Sequence, residues 1–148
     1  MAPGPSKDPI DPNDIEIKTT TYLDPDGDSL RAHHYQEVIA PHPEREAGAP
    51  PSADDVPVFL IIKLNNAPVA CGGLRTLYNE PRMAEIKRMY VLPEFRGRSK
   101  GIADLLMRSL ESAAVERGWS VLRLATGVDM PLARRFYERL YDLYIPFS

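Results

Sequence analysis

The chain predicts a mixed α/β fold: a single, mostly antiparallel sheet flanked by helices. Three observations carry this. Short apolar and β-branched runs occur at residues 15–22, 58–64, 69–77, 84–92 and 121–125. Between the last of these runs, apolar residues recur at helical spacing. The whole is 148 residues long, one domain's worth of chain with room for one core. The order reads strand, helix, three strands, helix, strand, helix, short strand. Hairpins imply antiparallel neighbours and a strand–helix–strand crossover implies a parallel one.

The elements follow in turn. Residues 1–12 carry four prolines and read as a disordered tail, with the folded domain taken as 13–148. Residues 15–22 (IEIKTTTY) are β-branched and predict a strand. Asp28 or Ser29 suits the cap of a helix running to about Ile39, closed by Pro41 and Pro43. Residues 42–57, rich in proline, alanine and acid, read as a loop. Asn65-Asn66 separates two apolar runs, and asparagine tolerates positive φ, so a hairpin is expected there. Pro68 falls at the start of the second run, where a missing N–H is tolerated. Pro93 stops the strand at 84–92. Ile102, Leu105, Leu106, Leu110, Ala113 and Ala114 make one helical stripe, and Gly118 stands where a C-cap belongs. Pro131 suits a second helix start, with Leu132, Ala133, Phe136, Tyr137 and Leu140 as its apolar face. The tail after Tyr141 reads as one last strand.

Composition narrows the class. Charged residues are 26% and hydrophobic ones 43%, ordinary for a globular protein. The single cysteine, Cys71, excludes an intramolecular disulfide and argues for the cytoplasm over secretion. The longest apolar run, 58–62, is far below the roughly 20 residues of a spanning helix, and the first ten residues hold no apolar signal core. Residues 1–57 hold 4 Lys/Arg against 12 Asp/Glu, and residues 58–148 hold 14 against 9. The acidic half argues against general nucleic-acid binding; the basic half suits a small anion.

Chemistry concentrates in residues 87–101. Lys87, Arg88, Arg96, Arg98 and Lys100 stand against the single acid Glu94, and a turn holding Gly97 and Gly101 feeds a helix start. Such a start leaves backbone N–H groups unpaired and aims partial positive charge outward. Phosphate or pyrophosphate is the ligand these features suit. Neither phosphate-loop fingerprint, G-x-x-x-x-G-K-[ST] or G-x-G-x-x-G, occurs.

A third pattern fits. EIKRMYVLPEFRGRSKGIADLLMRSLE resembles the acyl-CoA-binding segment of the GNAT superfamily of N-acetyltransferases. That family's [Gln/Arg]-x-x-Gly-x-[Gly/Ala] turn is matched by Arg98-Ser99-Lys100-Gly101-Ile102-Ala103. Its frequent Val-x-Pro-x-x-Arg-Gly lead is matched by residues 91–97. The two halves are offset, so the loop is about two residues longer than usual in the family. The resemblance covers roughly residues 56–147. The family's Asn-x-x-Ala-x-x-x-Tyr helix maps onto residues 130–137, with Met130 in place of the polar residue. The Gly-[Phe/Tyr] that usually follows is replaced by Tyr141-Asp142, so a shortened C-terminus is expected.

The resemblance implies acetyl transfer from acetyl-CoA to an amine. The pyrophosphate would rest on Arg96, Gly97, Arg98, Ser99, Lys100, Gly101, Ile102 and Ala103. The pantetheine arm would lie along Met89, Tyr90 and Val91, where a backbone N–H can polarise the thioester carbonyl. An alkylamine titrates near ~10.4, so a carboxylate must accept its proton; Glu85 is the candidate, as base or as orienting group. The competing reading makes Glu85 a solvated strand-end charge paired with Lys87 or Arg88. Tyr137 falls on the family's position for the acid that protonates the thiolate; as a bland alternative it is a core tyrosine beside Phe136. Arg75 and His34 are weaker candidates for the acceptor side, and Arg75 equally suits pairing with a neighbouring strand. Cys71, within an apolar run, reads as a small buried hydrophobe, and Trp119 as core. His42 lies between two prolines and reads as exposed. No Cys/His cluster suggests a metal.

The expectation is a cytoplasmic N-acetyltransferase acting on a small-molecule amine or amino acid. Its cosubstrate is acetyl-CoA, with no metal, nucleic acid or membrane. A protein or peptide N-acetyltransferase and a CoA-binding module without transfer activity are the alternatives. An incomplete C-terminal sheet edge would admit a second copy, giving a homodimer.

Overall fold

The computed structural model describes residues 10–41, 55–97 and 99–124. Its five strands form one sheet in the order β1-β2-β3-β4-β5: β1 (Ile15–Thr20), β2 (Val58–Leu64), β3 (Ala67–Thr76), β4 (Met83–Val91) and β5 (Val121–Leu124). The first four pair antiparallel. The helix α2 (Ile102–Glu116) carries the chain from β4 to β5, which therefore pair parallel, Met83 opposite Val121 and Ile86 opposite Leu124. The mixed, mostly antiparallel sheet expected from the sequence is the one observed. No described helix is long and apolar enough to cross a membrane.

Local chemistry accounts for most boundaries. Asn65 and Asn66 take φ of 50° and 69°, the left-handed pair that a two-residue hairpin loop needs. Gly118 ends α2 at φ 85°, and Trp119 N–H returns to the Ala114 carbonyl at 3.0 Å. Trp119 itself is only partly buried, with the Arg117 guanidinium over its ring. β1 stops at Thr20 rather than running to Tyr22, because Tyr22 turns inward against the edge of Phe59.

The first helix departs from expectation in two ways. Its start is prepared by a 3-10 turn, Pro25–Gly27, whose Asp26 N–H is accepted by the Asp24 side chain at 2.8 Å. Asp24 thus takes the capping role expected of Asp28 or Ser29, and α1 spans Asp28–His34 without a side-chain cap of its own. The helix then widens into a π-turn over Tyr35–Ile39, closed by Ala40 N–H to the Tyr35 carbonyl at 2.8 Å. Such widenings rotate the following side chains relative to an α-helix.

The sheet buries two unequal cores. On one face α2 lays Ile102, Leu106, Met107 and Leu110 against Leu60, Ile62, Leu74 and Ile86. Ile10 is packed against this cluster too. On the other face, towards α1, a smaller cluster joins Tyr22, Leu30, Val56, Phe59, Ile61, Cys71 and Tyr90. Gly72 and Gly73 lie between the two faces of β3; a Cβ on Gly73 would stand 2.6 Å from Val56, so only glycine fits.

Candidate functional site

Two features of β4 create the site. Ala70 pairs with Val91 and Cys71 with Tyr90, but Gly73 pairs with Lys87, so an extra residue bulges from β4 between these pairs. Arg88 sits in the bulge at φ 57°. Below it, β4 pairs with β5 through Ile86. Above it, β4 runs out into a 3-10 turn, Pro93–Phe95, and then the glycine turn.

Gly97 and Gly101 take φ of 110° and 72°, a conformation side-chain-bearing residues resist, and a Cβ on either would meet no atom within 4 Å. Their backbone therefore faces open space. Gly101 precedes α2 without any side-chain cap, and the first helical bond runs from Leu105 N–H to the Gly101 carbonyl at 3.0 Å. The N–H groups of the first turn thus have no partner within the helix itself. Ile102 is fully buried, Ala103 partly so, which fixes the turn to the core. Ser99 and Gly97 are exposed, while Lys100 and Gly101 are half-buried. Arg98 lies outside the described residues, as do Tyr137, Met130 and His42.

Arg96 does something the sequence did not suggest. Its Nε donates to the Val91 carbonyl at 2.8 Å, and its terminal nitrogen pairs with the Glu37 carboxylate at 2.7 Å. Its guanidinium also lies 5.4 Å from the centre of the Tyr90 ring. Tyr90 donates its hydroxyl to Glu37 at 3.3 Å, and His34 stacks on the same ring with centroids 5.1 Å apart. Burial, then the Glu37 charge, push the Tyr90 hydroxyl above its ordinary titration range, with Arg96 opposing. The π-turn after α1 carries Glu37 and so fastens α1 to the turn after β4. Arg96 and the Tyr90 side chain are thus both engaged in this contact, and Arg96 also takes the Val91 carbonyl of β4.

Glu85 is buried, at 5% exposure, not a solvated strand-end charge. Arg75 lies opposite it on β3 and Arg123 opposite it on β5. Arg123 binds one carboxylate oxygen through Nε at 3.0 Å and a terminal nitrogen at 2.8 Å. Arg75 and Lys87 approach the other, each at 3.5 Å. The pairing with Lys87 and the cross-strand pairing of Arg75 are both legible in the sequence; the roles of Arg123 and Glu37 are not. A lone arginine inside the short apolar run Val121–Leu124 was the available signal for the first.

Cys71 is 1% exposed, and burial pushes its thiol up to about 12, which leaves no thiolate for nucleophilic attack. Among the described residues no group of three His, Cys, Asp or Glu side chains is placed to hold a metal ion.

Comparison with known proteins agrees with this geometry. The family model for the acetyltransferase (GNAT) family matches residues 19–141. An uncharacterized N-acetyltransferase of Archaeoglobus fulgidus is 39% identical over 73 residues, covering 49% of this chain and 48% of that protein. The chain thus spans about half the length of the curated relative it matches. The ribosomal-protein-alanine N-acetyltransferase of Brucella melitensis shares the fold at TM-score 0.65 and 22% identity, over 85% of this chain and 89% of that one. An aminoglycoside N-acetyltransferase solved in complex with CoA superposes at TM-score 0.60 and 15% identity, over 85% and 86% of the two chains.

Proposed function

This chain belongs to the acetyltransferase (GNAT) family, and on that premise we propose that it moves an acetyl group from acetyl-CoA to the primary amine of a small molecule or amino acid. The observation that carries the reading is the glycine turn, with open backbone at Gly97 and Gly101 leading into the uncapped start of α2. Backbone N–H groups there, aligned with the helix dipole and joined by Ser99, Lys100, Ile102, Ala103 and Arg98, suit the cosubstrate's pyrophosphate. Acetyl-CoA would supply the activated acyl group as a thioester. The backbone of Met89, Tyr90 and Val91 would align its pantetheine arm, and an N–H on this stretch would polarise the carbonyl.

Two side chains are assigned to proton movement. Glu85, buried beside the β4 bulge, stands near the acceptor amine as its base or its orienting partner. Tyr137 is the acid for the departing thiolate. The whole stretch 13–148 is taken as one catalytic domain. A peptide acceptor is the second reading, supported by the likeness of fold to an enzyme named for a ribosomal-protein alanine.

Two measurements test the proposal. CoA should raise the melting temperature, since a ligand that binds only the folded state stabilises it. Free thiol should then appear from acetyl-CoA across a panel of amines. A Tyr137→Phe variant should lower turnover more than it weakens CoA binding; equal losses would make Tyr137 a structural residue. Binding of CoA with no thiol release from any amine or peptide would leave a binding module in place of an enzyme.

A further inference from the structure

We propose that Arg75, Lys87 and Arg123, gathered on Glu85, form an anion subsite that selects acceptor amines carrying a carboxylate. This rests on the acetyltransferase reading and names the class of acceptor.

The argument begins with register. Arg75, Glu85 and Arg123 are direct partners across β3, β4 and β5, so their side chains leave the same face of the sheet in one row. Lys87, two residues along β4, leaves that face as well. Three cations thus converge on a single carboxylate, that of Glu85. Among the described residues the cluster carries a surplus of positive charge. Like charges held this close repel, and a second anion placed among them would relieve the repulsion.

Donor geometry points the same way. Arg123 spends two nitrogens on Glu85 at 3.0 and 2.8 Å, the only close contacts of the set. Arg75 and Lys87 stand off at 3.5 Å, longer than a good charge-assisted bond. The side chains of Arg75, Lys87 and Arg123 are 44%, 31% and 30% exposed, so each keeps an accessible portion while Glu85 is covered. An arginine has five N–H donors and a lysine three, far more than one carboxylate consumes. Glu85 holds the row together and uses only part of the donor capacity of these partly exposed side chains.

Position makes the anion part of the acceptor. Lys87 lies just before the Arg88 bulge, and Met89 lies just after it, on the stretch assigned to the pantetheine arm. A dipeptide spans about 7 Å from amine to carboxylate, enough to reach across the single bulged residue between Lys87 and Met89. An acceptor whose amine meets the thioester near Met89 would therefore lay its carboxylate on Arg75 and Lys87, with Glu85 acting through them as the orienting group rather than as the base. A polycationic amine would meet repulsion at the same place.

The test pairs acids with their amides. Thiol release from acetyl-CoA is measured for glycylalanine and alanylalanine, each against its C-terminal amide, with rates expressed per free-base amine. The acid should exceed the amide by about ten- to a hundredfold in kcat/KM, mostly through KM, the size of a charge-assisted hydrogen bond. In Arg75→Gln and Lys87→Gln that ratio should fall towards one, and Arg75→Lys should restore part of it. A ratio near one in the natural enzyme, or one unchanged in both glutamine variants, overturns the proposal. N-acetylglycylalanine and N-acetylglycylalaninamide supply an arm independent of turnover: the acid alone should raise the melting temperature, and less so in the two variants. Equal shifts would also overturn it. If CoA produces no thermal shift, the acetyltransferase reading fails by itself, and the subsite is then judged on N-acetylglycylalanine binding.

Discussion

The two faces of the sheet are made of the same strands and do different work. The face under α2 is apolar throughout, closed by Leu106, Met107 and Leu110 at 0% exposure. The face towards α1 begins as a small core around Phe59 and Ile61 and then turns ionic, with Glu85 among its cations and Glu37 between Arg96 and Tyr90. Close packing of aliphatic groups gives stability that does not depend on direction. Charged groups give little stability when solvated, but they hold a geometry and recognise charge. The comparison teaches that stability and recognition here are separated by the thickness of one strand.

That separation can be broken experimentally, and the largest effect should come from the apolar face. Leu110→Ala should cost about 2–5 kcal/mol of unfolding free energy, measured by denaturant titration. A loss below about 1 kcal/mol would mean that α2 is not the main clamp on the sheet. Next comes the junction of the faces at the start of α2. Gly101→Asp should weaken CoA binding about tenfold or more, because it adds a negative charge and a strained φ at the turn. Calorimetry showing unchanged affinity would move the phosphate site elsewhere.

On the ionic face the stability effects should be smaller. Glu37→Gln breaks an ion pair whose two side chains are 45% and 39% exposed, so it should cost no more than about 1 kcal/mol. Its clearer signature is spectroscopic: without the Glu37 charge, the Tyr90 hydroxyl should ionise at lower pH in an ultraviolet titration. The smallest effect concerns Asp24. The Thr20 hydroxyl, then Lys18, hold its carboxyl well below the usual carboxylate range. A depressed folded-state value stabilises above the unfolded value, near ~3.9, and that contribution is lost as pH falls below it. Asp24→Asn should therefore lower the melting temperature at neutral pH by a small amount, a deficit that shrinks as pH falls below about 4, so that the acid limb is flatter. A steeper acid limb would reverse the assignment.

How far the sequence foretold all this depends on distance along the chain. The Asn65-Asn66 hairpin, the Gly118 cap and the stripe from Ile102 to Ala114 are local signals, and each was legible from a few neighbouring residues. The glycine turn was equally local. Glu37 and Arg96 stand 59 residues apart, and no window of sequence pairs them. Glu85 could be singled out as a carboxylate of interest, but its burial and its partner Arg123 depend on strand register, which only the folded sheet supplies. The π-turn after α1 was hidden for another reason: its residues also suit an ordinary helix.

The bulge at Arg88 has one more consequence. It acts as a phase shift in the alternation of β4: Glu85, Lys87 and Tyr90 share one side, while Val91 joins Ile86 on the other. Straightening β4 at its present length, with Arg88 in ordinary extended backbone, would exchange Tyr90 with Val91, thrusting a phenol into the aliphatic layer and unseating His34 from its ring. A left-handed turn of the backbone at one position, rather than the side chain that stands there, is what keeps the two layers sorted.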